Sequence, residues 1–172
     1  LRALLNSGDE LLVPSPDYPL WSAAVSLNHG RPVYYNCRPE DRFQPDPDEI
    51  RSLISEKTRG IVLINPINPT GAVYSRALLE EIARIAEEHQ LIVFADEIHD
   101  QMLYDEGEHV PRATLVHDPH CATFNGLSKI YRACGYRVGW VACSGDREQA
   151  ADYLHAVELL ATLRRCANVP GQ

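Results

Sequence analysis

The sequence predicts an α/β fold, with three αβα layers built around a mostly parallel sheet. Three observations carry this. Short apolar runs alternate with amphipathic helical segments at the spacing of βαβ units. The runs at 60–64 and 91–95 are continuously apolar, as expected of strands covered on both faces. The residues with chemical potential stand one after another just past the carboxyl ends of such runs, where open α/β sheets bind their ligands.

Residues 1–8 read as the last turns of a helix closed by Gly8. Residues 10–13 form a short strand, and Pro14-Ser-Pro-Asp-Tyr-Pro19 is expected to stop it in a shaped loop. A helix follows over 20–28, ended by His29-Gly30, and then a strand over 32–36. Asp46, Pro47 and Glu49 give a helix start with a capping box, and Ile50, Leu53 and Ile54 form its apolar face. After the strand at 60–64, Asn65-Pro-Ile-Asn-Pro-Thr-Gly71 is incompatible with regular structure. Ser75 caps a helix to about His89, with Leu78, Leu79, Ile82, Ile85 and Ala86 on one face. The strand at 91–95 ends at Asp96-Glu-Ile-His99, and 102–104 read as a short extended piece. Residues 105–119 are polar and read as surface loop with room for one helical turn. Strands at 122–125 and 138–142 flank a glycine-containing segment, and Asp146 caps a last helix to about Arg164.

The 172 residues suit one domain with a real core. A net charge of −8 argues against a nucleic-acid or anionic-membrane surface, which needs clustered basic residues. No apolar run reaches the roughly 18 residues of a membrane span. The cysteines at 37, 121, 134, 143 and 166 are odd in number and none are spaced Cys-x-x-Cys. That disfavours a disulfide framework or zinc ribbon, and the expected home is the reducing cytoplasm. The ends, Leu1-Arg-Ala-Leu and Asn168-Val-Pro-Gly-Gln172, suggest a truncated piece of a longer protein.

Lys129 lies in Thr123-Phe-Asn-Gly-Leu-Ser-Lys-Ile-Tyr-Arg-Ala-Cys-Gly-Tyr-Arg137. Apolar runs flank this stretch, and Gly126, Gly135 and Gly139 are expected to bend it. A lysine amine attacks carbonyls when burial or nearby positive charge disfavours its ammonium form. Arg132 and Arg137 can supply such charge. The alternative is a solvated surface lysine.

Four segments, taken with that stretch, carry a resemblance. They are Ser15-Pro-Asp-Tyr-Pro-Leu-Trp21, Asn65-Pro-Ile-Asn-Pro-Thr-Gly71, Ala95-Asp-Glu-Ile-His99 and Asn125-Gly-Leu-Ser-Lys129, with Gly135-Tyr-Arg137 and Gly139-Trp140 behind. In this order they resemble the large domain of fold-type I pyridoxal phosphate enzymes, the class I/II aminotransferases of the aspartate aminotransferase superfamily. Pro16-Asp-Tyr-Pro-Leu-Trp21 and Cys166-Ala-Asn-Val-Pro170 look most like the bacterial alanine (glutamate–pyruvate) group.

The resemblance implies pyridoxal 5′-phosphate as cofactor, with an amino acid and a 2-oxo acid as substrates. It implies that Lys129 bonds the cofactor and later moves the substrate proton. Asp96 would pair with the ring nitrogen, and Asn68 would donate to the ring's phenolic oxygen. Arg137 would fork onto the phosphate, with the Ser128 hydroxyl beside it. Tyr18 has two readings, a ring stacked on the cofactor or a partly buried core tyrosine.

Two departures stand out. His99 occupies a position that is tyrosine in most such aminotransferases and histidine in related carbon–sulfur lyases. An imidazole can still donate one hydrogen bond there. Gly126 stands where many relatives carry a phosphate-binding serine, and Ile67 replaces a commoner asparagine. The family's upstream phosphate loop and its C-terminal carboxylate-binding arginine have no counterpart in these 172 residues. The family also builds its sites across a homodimer. The chain alone is therefore expected not to catalyse transamination. The competing reaction on the same fold is carbon–sulfur β-elimination.

Overall fold

A computed structural model of the chain describes residues 1–104, 109–115 and 120–163. The expected features at Arg164 and at Cys166-Ala-Asn-Val-Pro170 lie outside these residues, as does much of the 105–119 segment.

The described residues form six strands and four α-helices: β1 Glu10–Ser15, α1 Leu20–Leu27, β2 Arg31–Asn36, α2 Pro47–Leu53, β3 Thr58–Ile64, α3 Arg76–Glu88, β4 Ile92–Asp96, β5 Cys121–Gly126, β6 Gly139–Ser144 and α4 Ala151–Thr162. The sheet order is β2-β1-β3-β4-β5-β6. The first five strands are parallel, and β6 closes the edge antiparallel to β5. This is the expected mostly parallel α/β sheet. Consecutive residues of β3, Ile61 to Ile64, are each at most 2% exposed, so helices cover both of its faces. β6 is largely exposed among the described residues.

Local chemistry explains the elements. The Asp46 carboxylate accepts the Asp48 N–H at 2.9 Å, and Pro47 opens α2 where its missing N–H is harmless. Glu49 does not close a capping box. Its carboxylate accepts instead from the backbone and side-chain amides of Asn36 at the end of β2. Ser75 caps α3 by accepting from Leu78 N–H at 3.3 Å. Asp46 and Ser75 thus act where the sequence placed them.

Four segments differ from the sequence expectation. Residues 1–8 form turns rather than a helix end, with Gly8 at φ 86°. β1 runs through Pro14 to Ser15. Its ladder with β3 stops at Leu12, so Pro14 stands where a missing N–H costs least. Residues 102–104 join no strand. Asp146 caps a separate turn, accepting from Glu148 and Gln149 N–H, before α4 begins at Ala151.

Arg112 is a cost within this fold. It sits in a 3-10 turn at Arg112–Thr114 packed beside β5, and it is 2% exposed. Among the described residues its Nε, Nη1 and Nη2 have no hydrogen-bond partner, and burial lowers its pKa. Neighbouring Glu97 is satisfied without the guanidinium. One oxygen accepts the backbone N–H of Arg112 at 2.7 Å, and the other meets His109 Nε2 at 3.3 Å. Glu97 lies near enough to favour the charge but not to bond it, and a buried guanidinium held without hydrogen bonds is worse than an apolar side chain of similar volume. Arg112→Met is therefore expected to raise unfolding stability by about 1–3 kcal/mol. Denaturant titration checks this, and a destabilised variant would show that the guanidinium is compensated.

Candidate active site

Four strand ends and the turns after them build one cavity. β1 leads to Tyr18, and β3 leads into the turn 65–71 that carries Asn68. β4 ends on Asp96, with His99 in the next turn, and β5 leads into residues 127–138 with Ser128, Lys129 and Arg137. All seven side chains picked out in the sequence line this one cavity of ≈ 600 Å³. Parallel strands place it there, because their carboxyl ends all point the same way.

The turn 65–71 is locked by hydrogen bonds at both of its ends. Asn65 Oδ1 accepts from Tyr74 N–H at 2.9 Å, while Asn65 N–H donates to the Asp96 carbonyl at 3.1 Å and joins the ends of β3 and β4. Gly71, at φ 76°, donates to the Ile67 carbonyl at 2.8 Å, a left-handed position that suits glycine. Ile67 is 2% exposed and packs in the core, so an apolar side chain belongs there.

The turn after β4 is tied to the end of β5, where the lysine loop begins. Asn125 Nδ2 donates to Asp100 Oδ2 at 2.9 Å, and Asn125 Oδ1 accepts from Gly126 N–H at 2.7 Å. Gly126 and Gly139 face each other across the β5–β6 ladder. A Cβ on Gly126 would lie 2.7 Å from the Val138 carbonyl oxygen and 3.1 Å from the Gly139 Cα. A serine at position 126 therefore requires the two strands to part, which accounts for the glycine.

The glycines do not bend the lysine loop as expected. The left-handed residues are Arg132 at φ 52° and Arg137 at φ 56°, and neither Gly126, Gly135 nor Gly139 has positive φ. Lys129 is exposed at the cavity rim. The flanking apolar runs are strands of the sheet, whereas the loop between them stands outside it. Arg137 is also exposed and donates through Nη1 to the Cys134 carbonyl at 2.8 Å. Tyr18 is 43% exposed and lines the cavity, which disfavours the core reading.

The electrostatics centre on Asp96 and His99. Burial lowers the His99 pKa, with the Lys129 ammonium adding to the effect and the Asp96 carboxylate and Pro66 carbonyl opposing it. The neutral imidazole is thus favoured at neutral pH. Asp96 accepts the Ile98 N–H through Oδ1 at 3.3 Å and the Trp21 indole N–H through Oδ2 at 2.9 Å. The sequence alone assigned no role to Trp21. The available signal was its place three residues after Tyr18, which puts it on the first turn of α1 near the same cavity.

The family described as aminotransferase class I and II matches residues 1–170. The glutamate-pyruvate aminotransferase AlaA of Escherichia coli (strain K12) is 56% identical over 172 residues, which are 100% of this chain and 42% of that protein. The alanine aminotransferase of Mycobacterium tuberculosis (strain ATCC 25618 / H37Rv) is 50% identical over 100% of this chain and 40% of its own length. Among solved structures, an aminotransferase from Escherichia coli superposes with a TM-score of 0.96 at 56% identity, covering 99% of this chain and 42% of that one. The alanine aminotransferase of Pyrococcus furiosus gives 0.94 at 43% identity, covering 98% and 43%. The chain thus spans about two-fifths of the length of these relatives. Because the family match runs over nearly every residue and the likeness holds in both sequence and fold, the chain belongs to the class I and II aminotransferases.

Proposed function

We propose that this chain is part of the large domain of a pyridoxal 5′-phosphate-dependent aminotransferase. The full-length protein exchanges the amino group of a small amino acid, alanine or glutamate, with a 2-oxo acid in a ping-pong cycle. One observation carries the reading: four separate turns deliver an amine, a carboxylate, an amide, an imidazole, a hydroxyl, a guanidinium and an aromatic ring to one cavity. The names of the relatives at 56% and 50% identity favour alanine and glutamate.

The donor set fits this cofactor. The cavity is within the size range of small-molecule sites, and it pairs a carboxylate at a strand end with cationic side chains on the lysine loop. When bound, pyridoxal 5′-phosphate supplies an aldehyde that takes up the amino group and a ring that accepts the electron pair left at the substrate's Cα. Lys129 Nζ would be the amine that holds the cofactor, and it would then carry the Cα proton. Asp96 would accept from the ring nitrogen and keep it protonated. Asn68 would donate its amide N–H to the ring oxygen, and Tyr18 would cover one ring face. Arg137 and Ser128 would hold the phosphate by charged and hydroxyl hydrogen bonds. His99, neutral at neutral pH, would orient the ring oxygen's surroundings without adding charge.

The reading extends to a homodimer and to the cytoplasm for the full-length protein. Its support is the family resemblance and the four free cysteines at 37, 121, 134 and 143 among the described residues. Among those residues no helix is long and apolar enough to cross a membrane.

His99, placed in the cavity beside Asp96 and Lys129, motivates a second reading, carbon–sulfur β-elimination on the same scaffold. Incubating the full-length protein with alanine, cystathionine or cysteine separates the two. The aminotransferase reading predicts turnover of alanine that stops when the oxo acid is withheld. Pyruvate and ammonia released from the sulfur amino acids without any oxo acid would establish the lyase instead.

A further inference from the structure

We propose that Trp21 is a positioning residue for this reaction, its indole N–H holding the Asp96 carboxylate as a fixed hydrogen-bond acceptor toward the cavity. This rests on the role proposed above for Asp96.

The geometry is specific. Trp21 Nε1 donates to Asp96 Oδ2 at 2.9 Å across 75 residues of sequence, from the first turn of α1 to the end of β4. Trp21 is 9% exposed and is clamped by two rings. Its centroid lies 5.3 Å from Phe124 at 80° and 6.0 Å from Phe94 at 54°. Phe94 precedes Asp96 by two residues on β4 and so shares its face of the sheet, and Phe124 is the residue paired with Asp96 on β5. The carboxylate therefore sits in an aromatic frame. Its contacts with Ile98 N–H on Oδ1 and the indole on Oδ2 leave the remaining lone pairs to the cavity it lines.

Indole chemistry gives the arrangement its consequence. The Nε1–H can only donate, and it neither accepts nor titrates. The lone pair facing Trp21 must therefore stay free of a proton, and the carboxylate cannot turn to put an O–H there. In surroundings of low polarity a hydrogen bond to a carboxylate is stronger than at the surface. The frame would thus keep the Asp96 carboxylate aimed as an acceptor at the ring nitrogen.

The test uses full-length protein and pyridoxal 5′-phosphate. Trp21→Phe removes the N–H but keeps a ring against Phe94 and Phe124. Its dissociation constant for pyridoxal 5′-phosphate is expected to rise about tenfold, as for loss of one charge-assisted bond. The pH at which the loaded protein's visible absorbance changes is expected to move by about one unit. In an Asp96→Ala background the same substitution should add nothing, since the partner is gone. Trp21→His keeps a ring N–H and should recover part of the loss. A Phe variant with lowered thermal stability but unchanged affinity and absorbance titration would reduce Trp21 to packing and overturn the proposal, as would equal losses in Phe and His. If the wild type takes up no cofactor, the failure lies in the proposed function itself, and the inference falls with it.

Discussion

Lys129→Ala in the full-length protein is expected to lower the transamination rate by about 10³-fold or more. Lys129 would have two duties, holding the cofactor and moving the Cα proton, and alanine can do neither. Lys129→Arg sharpens the test. Arginine keeps the charge and roughly the reach, but its guanidinium does not deprotonate and is no nucleophile. If the side chain at 129 served only to attract phosphate, the arginine variant would keep much of its activity. The proposed function predicts that it is as inactive as alanine. Steady-state rates with alanine and 2-oxoglutarate decide between the two, provided both variants melt like the wild type. Lys129 is exposed at the rim, so neither substitution disturbs the core.

Gly60→Ala is expected to cost about 3 kcal/mol of stability, although it adds a single methyl group far from any catalytic side chain. Gly60 pairs with Ile92 in the β3–β4 ladder at the centre of the sheet. A Cβ there would collide with the Ile92 carbonyl oxygen, with Leu11 Cδ1 at 3.1 Å and Phe94 Cε2 at 3.2 Å. Side chains can yield by rotating, whereas a carbonyl in a paired strand moves only with its strand. Separating β3 from β4 would also disturb Asn65 and Asp96, whose backbone bond closes the same ladder. Denaturant unfolding measures the effect. A change smaller than about 0.5 kcal/mol would mean that the strands do not approach as closely as described.

Much of this was legible because the signals are local. The continuous apolar runs announced strands covered on both faces, and β3 and β4 are those strands. The paired Asn-Pro steps announced an irregular turn, and Asp46 and Ser75 announced helix starts. Once the strands were parallel, the residues past their ends had to meet, which is why Tyr18, Asn68, Asp96, His99, Ser128, Lys129 and Arg137 share a cavity. What escaped depends on neighbours remote in sequence. Pro14 is tolerated in β1 because β3 has stopped pairing there. Glu49 bonds Asn36 rather than its own helix start because β2 ends beside it. The Trp21–Asp96 bond joins residues that no local pattern connects. Exposure of Lys129 is likewise set by what lies over a loop, not by the apolar strands on either side of it.

Lys129 would be the residue that carries the cofactor, and one measurement addresses this directly. Full-length protein loaded with pyridoxal 5′-phosphate is reduced with borohydride, digested and mapped by mass spectrometry. The expected result is one phosphopyridoxyl group, on Lys129, and none in Lys129→Ala. A label on any other lysine, or an unchanged yield in the variant, would contradict it.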